Sequence, residues 1–264
     1  MQRRREIRYI IAFLLLGIGV LAFVILNVCI GTVKISVKDI IASIAGEEIN
    51  NSRILWDIRA PRTVAAMILG GALALAGYLL QTFFHNPIAG PFVLGISSGA
   101  KMIVALVMVF LMGRAVKVSS WSLIIAAFLG AMISMGFVLL MSRKVNNMSM
   151  LVVSGVMIGY ICSAVTELVI TFANDADIVN LHNWSRGSFS GMTWDNVSFM
   201  KWVVGITFVA VFFLSKPLSA YQLGEAYAKN MGVSISLLRV ALVVLSSILS
   251  ASIVAFAGPI SFVG

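Results

Sequence analysis

Residues 59–101 read RAPRTVAAMILGGALALAGYLLQTFFHNPIAGPFVLGISSGAK, and the order of features within them decides the fold. Arg59 and Arg62 flank Pro61, and a long apolar run with a stripe of small residues follows. His85-Asn86-Pro87 and Gly90-Pro91 break that run, and a Gly- and Ser-rich apolar segment restarts at once. Each run approaches the roughly 20 apolar residues that a helix needs to cross a hydrocarbon core. Charge, span, break and span in that order predict two membrane helices joined by a tight turn.

The remainder of the chain agrees. Of 264 residues, 60% are hydrophobic and 11% charged, more apolar surface than a water-soluble globule hides. At about 20 residues per span plus loops, the length allows roughly seven spans. The apolar runs are continuous rather than alternating, which disfavours a β-barrel and predicts an all-α, polytopic helical bundle. The net charge of +9 is spread over helix ends and loops, with no basic face interleaved with aromatics, so nucleic acid is not an expected partner. Cys29 and Cys162 both fall inside predicted spans and read as small packing residues, not a disulfide. Asp175, Asp177 and His182 lack a fourth ligand or a recognised spacing, so no metal and no cofactor is expected.

Taken in order, Arg3, Arg4, Arg5 and Arg8 precede an apolar run over 9–30, too long for a signal peptide and read as an uncleaved first span. Residues 31–60 form a polar, mixed-charge segment with Trp56 near its end as an interfacial anchor. Further spans are predicted over 63–84, 92–112, 121–141, 150–172, 197–214 and 239–256. The most polar loop, 174–196, lies between the fifth and sixth. The segment LSAYQLGEAYAKNMGVSISLLR, 218–239, is too polar to cross and reads as one or two short interfacial helices. Lys and Arg counts tie between the two sides. The dense N-terminal cluster therefore sets the expected orientation, with the N-terminus in the cytoplasm.

Small residues at helical spacing, Gly71, Ala74, Ala76 and Gly77, then Gly95 and Gly99, then Gly155 and Gly159, predict close helix packing. The string Gly95-Ile-Ser-Ser-Gly99-Ala-Lys101 mimics a phosphate loop, but it is one residue short between glycines and carries Met102 where a magnesium-binding hydroxyl belongs. ATP is therefore not expected to be hydrolysed by this chain. Two ionisable residues fall within spans. Glu167 reads as a pathway-lining group or a helix–helix contact, and Lys101 as a functional charge or one that pairs or snorkels. Finally, Ala89-Gly-Pro-Phe-Val-Leu-Gly95 is echoed by Ala257-Gly-Pro-Ile-Ser-Phe-Val-Gly264. Two related halves, as in many transporters, would make the natural protein longer by about three spans, or roughly 60 to 80 residues, for an expected ten in all.

The RAPRT string with GALALAGYLLQTFFHNPIAGPFVLGISSGA resembles the permease subunits of FecCD-type ABC importers, which take up iron-siderophore, haem and cobalamin. Three further strings match in order: Trp184-Ser-Arg-Gly-Ser188, Leu223-Gly-Glu-Ala-Tyr-Ala-Lys-Asn-Met-Gly232, and the terminal AGPISFVG, which in the family continues into a Pro-His segment and further helices. The resemblance implies one permease domain over 1–264 in a bacterial cytoplasmic membrane. Its implied partners are ABC ATPase subunits, a substrate-binding (lipo)protein, and a second permease chain in a homodimer or heterodimer. Membrane lipid surrounds it.

The same resemblance implies roles for residues. Arg59 and Arg62 match the outer arginines that receive carboxylates of the binding protein, as a bidentate guanidinium suits. Leu223, Gly224, Glu225, Ala228 and Gly232 match the cytoplasmic coupling helix, near 219–232, that docks on the ATPase. Met231 stands where Leu is usual, a volume-conserving exchange. Asn147, Met148 and Ser149 correspond to a cytoplasmic gate, with Met148 replacing a smaller polar residue, and Glu167 is the pathway candidate. The expected function is import of a ferric siderophore or related metal chelate with no covalent chemistry in this chain. A haem or cobalamin importer of the same family, an ion-coupled secondary transporter using Glu167 and Lys101, and a membrane scaffold are the alternatives.

Overall fold

A peptide backbone in lipid must satisfy its own polar groups, and long apolar segments do so as helices. The computed structural model describes residues 2–47, 51–86, 90, 94–112, 120–142 and 148–260, with side chains for all of these except 2–4, 111–112, 142 and 148–149. Among the described residues there is no strand. The elements are α1 (Gln2–Cys29), α2 (Val37–Ile44), α3 (Ala60–Phe84), α4 (Ile96–Val107), α5 (Ser120–Ser142), α6 (Met148–Ile170), α7 (Asp175–Ser185), α8 (Trp194–Phe213), α9 (Ser215–Gln222), α10 (Glu225–Asn230) and α11 (Ile235–Ala257). A π-helical turn, Ile54–Arg59, runs directly into α3, and another, Met108–Met112, extends α4.

Six helices among the described residues are long and apolar enough to cross a membrane: Arg5–Cys29, Ile54–Phe84, Ser120–Met141, Met150–Ile170, Trp194–Phe213 and Ile235–Ala257. The protein is therefore a polytopic helical membrane protein. The expected third span is the shorter case, with an apolar helix over Ile96–Phe110 that starts only after Gly95, whose φ of 73° no ordinary helical residue adopts. The second span is longer than its apolar run. Its helix begins at Ile54, so Arg59 and Arg62 lie within the helix rather than ahead of it. The change from π to α register falls just before Pro61, which has no N–H to give to either ladder.

Two polar stretches that hydropathy leaves between spans are in part helical. In 31–60, Ser36 and Asp39 form a reciprocal capping box, Ser36 accepting from Lys38 N–H at 3.0 Å and Asp39 from Ser36 N–H at 3.0 Å, and α2 grows from it. In 174–196, Asp175 and Asp177 sit in the first turn of α7, where negative charge complements the helix dipole.

The chain divides into two compact units. The first comprises Met1–Met67 and Ser190–Val197. In it Trp56 Nε1 donates to Ser43 Oγ at 2.8 Å, and Trp194 Nε1 donates to the Trp56 carbonyl at 2.8 Å. These bonds satisfy the polar edges of two indoles of the kind that favour a membrane interface.

The second unit comprises Ile68–Phe189 and Ser198–Gly264. There α4 lies against α5 and α6 through glycines. A Cβ on Gly99 would come within 2.6 Å of the Gly130 carbonyl, and one on Gly95 within 2.9 Å of the Gly155 carbonyl. The predicted small-residue packing therefore holds for Gly95, Gly99, Gly155 and Gly159. It does not hold for Gly71, whose surroundings are open. Cys162 is buried in the same region, with its Sγ 3.7 Å from Ser134 Oγ. In α11 the hydroxyls of Ser246, Ser247, Ser250 and Ser252 donate to carbonyls three or four residues earlier, so this buried helix carries its polar groups already satisfied.

Candidate functional site

The two arginines that the sequence pairs are separated by their surroundings. Arg59 is buried, and its guanidinium donates to the carbonyls of Val28 (2.5 Å), Cys29 (3.3 Å) and Val33. Val28 and Cys29 close α1, where carbonyls have no intrahelical partner and the dipole favours a cation. Gly31 makes room for this, because a Cβ there would run into Arg59 Nη2. One turn on, Thr63 Oγ1 donates to Asn27 Oδ1 at 2.9 Å. Arg62, by contrast, is exposed. Both arginines line a groove of about 510 Å³ whose walls include Phe23, Leu26, Asn27, Ile30 and Thr32. Arg59 thus acts as a brace, and Arg62 alone holds out a guanidinium.

The segment between α8 and α11, read from its polarity as one or two short helices, folds as two. Gly224 at φ 120° opens α10 and Gly232 at φ 82° follows it, conformations that a side chain would strain. Ala228 is buried against the protein's own core, whereas Leu223, Tyr227 and Met231, spaced four apart, are exposed. Of the five coupling candidates, Leu223 therefore shares its face with Tyr227 and Met231. Gly224 and Gly232 shape the turns, Ala228 faces inward, and Glu225 is engaged internally.

Glu225 takes part in a cluster that hydropathy does not reveal. Its Oε1 accepts from Tyr221 Oη at 3.1 Å and from Arg239 Nη2, the one ion pair among the described residues. The Arg239 guanidinium holds the Glu225 carboxyl below the usual carboxylate range, and burial pushes the Tyr221 phenol up. Tyr221 has no exposed surface, and His85, at the end of α3 with φ 50°, rests its ring 4.9 Å from the Tyr221 ring. Gln222 Nε2 donates to Tyr78 Oη at 3.0 Å and to Thr82 Oγ1 at 3.2 Å. Tyr221, Gln222 and Arg239 are missed by reading motifs, although the i, i+4 spacing of Tyr221 and Glu225 is a usable signal.

Other predicted residues are less engaged. Asn147 lies outside the described residues, and Met148 and Ser149 open α6 with side chains outside the description. Glu167 is exposed in the last turn of α6 and Lys101 half-buried in α4, neither with a described side-chain partner. Among the described residues no group of three His, Cys, Asp or Glu could hold a metal ion. The motif at 184–188 meets the echo at 257–259. Ser188 N–H donates to the Ala257 carbonyl at 2.7 Å, and a Cβ on Gly258 would come within 2.7 Å of the Trp184 carbonyl.

Comparison with known proteins adds to this geometry. The model of the FecCD transport family matches residues 19–264. The vitamin B12 import system permease protein BtuC of Salmonella typhi is 34% identical over 263 residues, covering 100% of this chain and 77% of that protein. Its namesake from Salmonella arizonae is 33% identical over 263 residues, covering 100% and 76%. A solved structure described as an inward-facing conformation of a metal-chelate type ABC transporter superposes with a TM-score of 0.81 at 26% identity, covering 94% of this chain and 76% of that one.

Proposed function

The chain belongs to the FecCD transport family, and from that membership we propose that it is the permease subunit through which an ABC importer brings a metal chelate into the cytoplasm. A ferric siderophore is the first expectation, with haem and cobalamin as cargo of the same class. The chain forms one permease domain in a bacterial cytoplasmic membrane and pairs with a second copy or a similar chain. Its N-terminus is cytoplasmic, which puts Arg62 outside and α10 inside. Outside, a binding protein offers carboxylates to Arg62, with Arg59 holding that helix end in place. Inside, partner ATPases seat the exposed Leu223, Tyr227 and Met231 in a groove, and ATP turnover in those partners drives the pathway open and shut. Asn147, Met148 and Ser149 are assigned to the cytoplasmic gate and Glu167 to the pathway wall.

The observation that carries this reading is α10 itself. It is a six-residue helix between two positive-φ glycines, too polar to cross, with its apolar stripe turned outward. Ala228 turns inward while Leu223, Tyr227 and Met231, in and beside α10, are exposed together, the kind of apolar patch a partner covers. The test is co-purification of the permease with its ATPase. Tyr227→Asp and Met231→Asp should each strip the ATPase while leaving the permease folded. An ATPase still bound at parent stoichiometry in both variants would overturn the assignment. ATP-dependent uptake that survives Glu167→Gln distinguishes this importer from an ion-coupled carrier, which would lose its coupling.

A further inference from the structure

The coupling assignment explains the outer face of α10 but not the polar cluster behind it. Four helices meet there. The end of α3 grips the end of α9, because Gln222 Nε2 reaches both Tyr78 Oη and Thr82 Oγ1, 3.0 and 3.2 Å away. The end of α9 grips the start of α10 across the Gly224 break, because Tyr221 Oη donates to Glu225. The start of α10 grips the start of α11, because the same Glu225 oxygen accepts from Arg239. The His85 ring covers Tyr221, and His85 holds a positive φ that a histidine adopts only at a cost when its surroundings enforce it.

A tyrosine with no exposed surface, with its hydroxyl on a carboxylate and its ring under a histidine, leaves little slack. These links add directional bonds to the apolar packing of Leu218, Tyr221 and Ala228. Contiguous contacts between rigid elements are one physical means of carrying coupling between distant sites. We propose that Tyr221 and Gln222 are positioning residues that fasten the ATPase-facing helix α10 to the membrane helix α3, so that movement imposed on α10 reaches the inner end of α3. The inference rests on the importer reading.

The test uses the permease with its ATPase and binding protein in proteoliposomes loaded with ATP, measuring both chelate uptake and ATP hydrolysed. Tyr221→Phe combined with Gln222→Ala should lower uptake per ATP by about 3- to 30-fold, the span that network residues modulate. Tyr221→Phe keeps the ring beside His85, so folding is spared. With Tyr221 kept, Gln222→Ala alone should lower the same ratio, and Gln222→Lys with Thr82→Asp, which re-forms the α3–α9 link as an ion pair, should restore it to within about twofold of the parent. A generic packing defect would not be rescued in this way. An unchanged ratio in the double variant, or no rescue by the exchanged pair, overturns the inference while leaving the importer reading intact. If the parent complex shows no ATP-driven uptake at all, the importer reading itself fails and the inference with it.

Discussion

Arg59 and Arg239 carry the same guanidinium at the ends of apolar helices, and their surroundings give it opposite work. Arg59 is buried and gives its protons to three backbone carbonyls near the end of α1, with Gly31 kept bare to admit it. Arg239 is about a third exposed and pairs with one carboxylate, Glu225, which is itself 44% exposed. The first is a buried brace held by three acceptors at once. The second is a surface ion pair whose partners can turn to water. The difference teaches that a signature arginine in a membrane protein is not by itself a docking group, and that burial decides whether it holds the fold together or meets something outside.

The largest effect expected from breaking this contrast is at Arg59. Arg59→Met leaves the Val28 and Val33 carbonyls without this donor, while Cys29 keeps the Ile35 N–H, and at about 1–3 kcal/mol for an unsatisfied group it should cost roughly 1–3 kcal/mol, read as a lower unfolding midpoint in detergent. Arg59→Lys should recover only part, because an ammonium lacks the planar fork. Next comes Gly31→Ala, which drives a methyl into Arg59 Nη2 and should cost about 1–3 kcal/mol. Combined with Arg59→Lys, its further cost should shrink, since the two sites share one contact.

Glu225→Gln should change stability at neutral pH by no more than about 1 kcal/mol, as befits an exposed pair. Its pH dependence sharpens the comparison. Arg239 depresses the Glu225 pKa in the folded protein, so the pair's contribution is fully present above the ordinary glutamate value and is lost as pH falls through the depressed one. The difference in melting temperature between parent and Glu225→Gln should therefore be flat from neutral pH down to the ordinary glutamate range and close below it. The difference between parent and Arg59→Met should persist there.

The smallest effect on stability is expected at Arg62. Arg62→Ala should shift the midpoint by less than about 0.5 kcal/mol. It should nevertheless slow association with the binding protein and flatten the salt dependence of that rate, as removal of an interfacial charge does. An Arg62 variant that melts early but binds normally would reverse the roles of the two arginines.

Much of the fold was legible because its causes are local. Twenty apolar residues in a row form a helix in lipid whatever lies elsewhere, and so the spans over 121–141 and 150–172 agree with α5 and α6 to within about two residues. The glycine pairs at 95 and 99 and at 155 and 159 announced close packing, and the bracketing of α10 by Gly224 and Gly232 was readable for the same reason. The capping box at Ser36 and Asp39 was equally local, yet hydropathy passed over it because α2 is short and follows polar residues.

What the sequence determined by itself is the class of protein, its helices and the polar segment that stays out of the membrane. Those follow from composition and from the backbone's need to satisfy itself where water is absent. What only the tertiary structure decided is the work of each charged or polar side chain. The acceptor of Arg59 lies 31 residues away in sequence, and that of Gln222 lies 144 residues away. No periodicity encodes such distances. A guanidinium's strength depends on which groups share its low-dielectric surroundings, and packing alone chooses those groups.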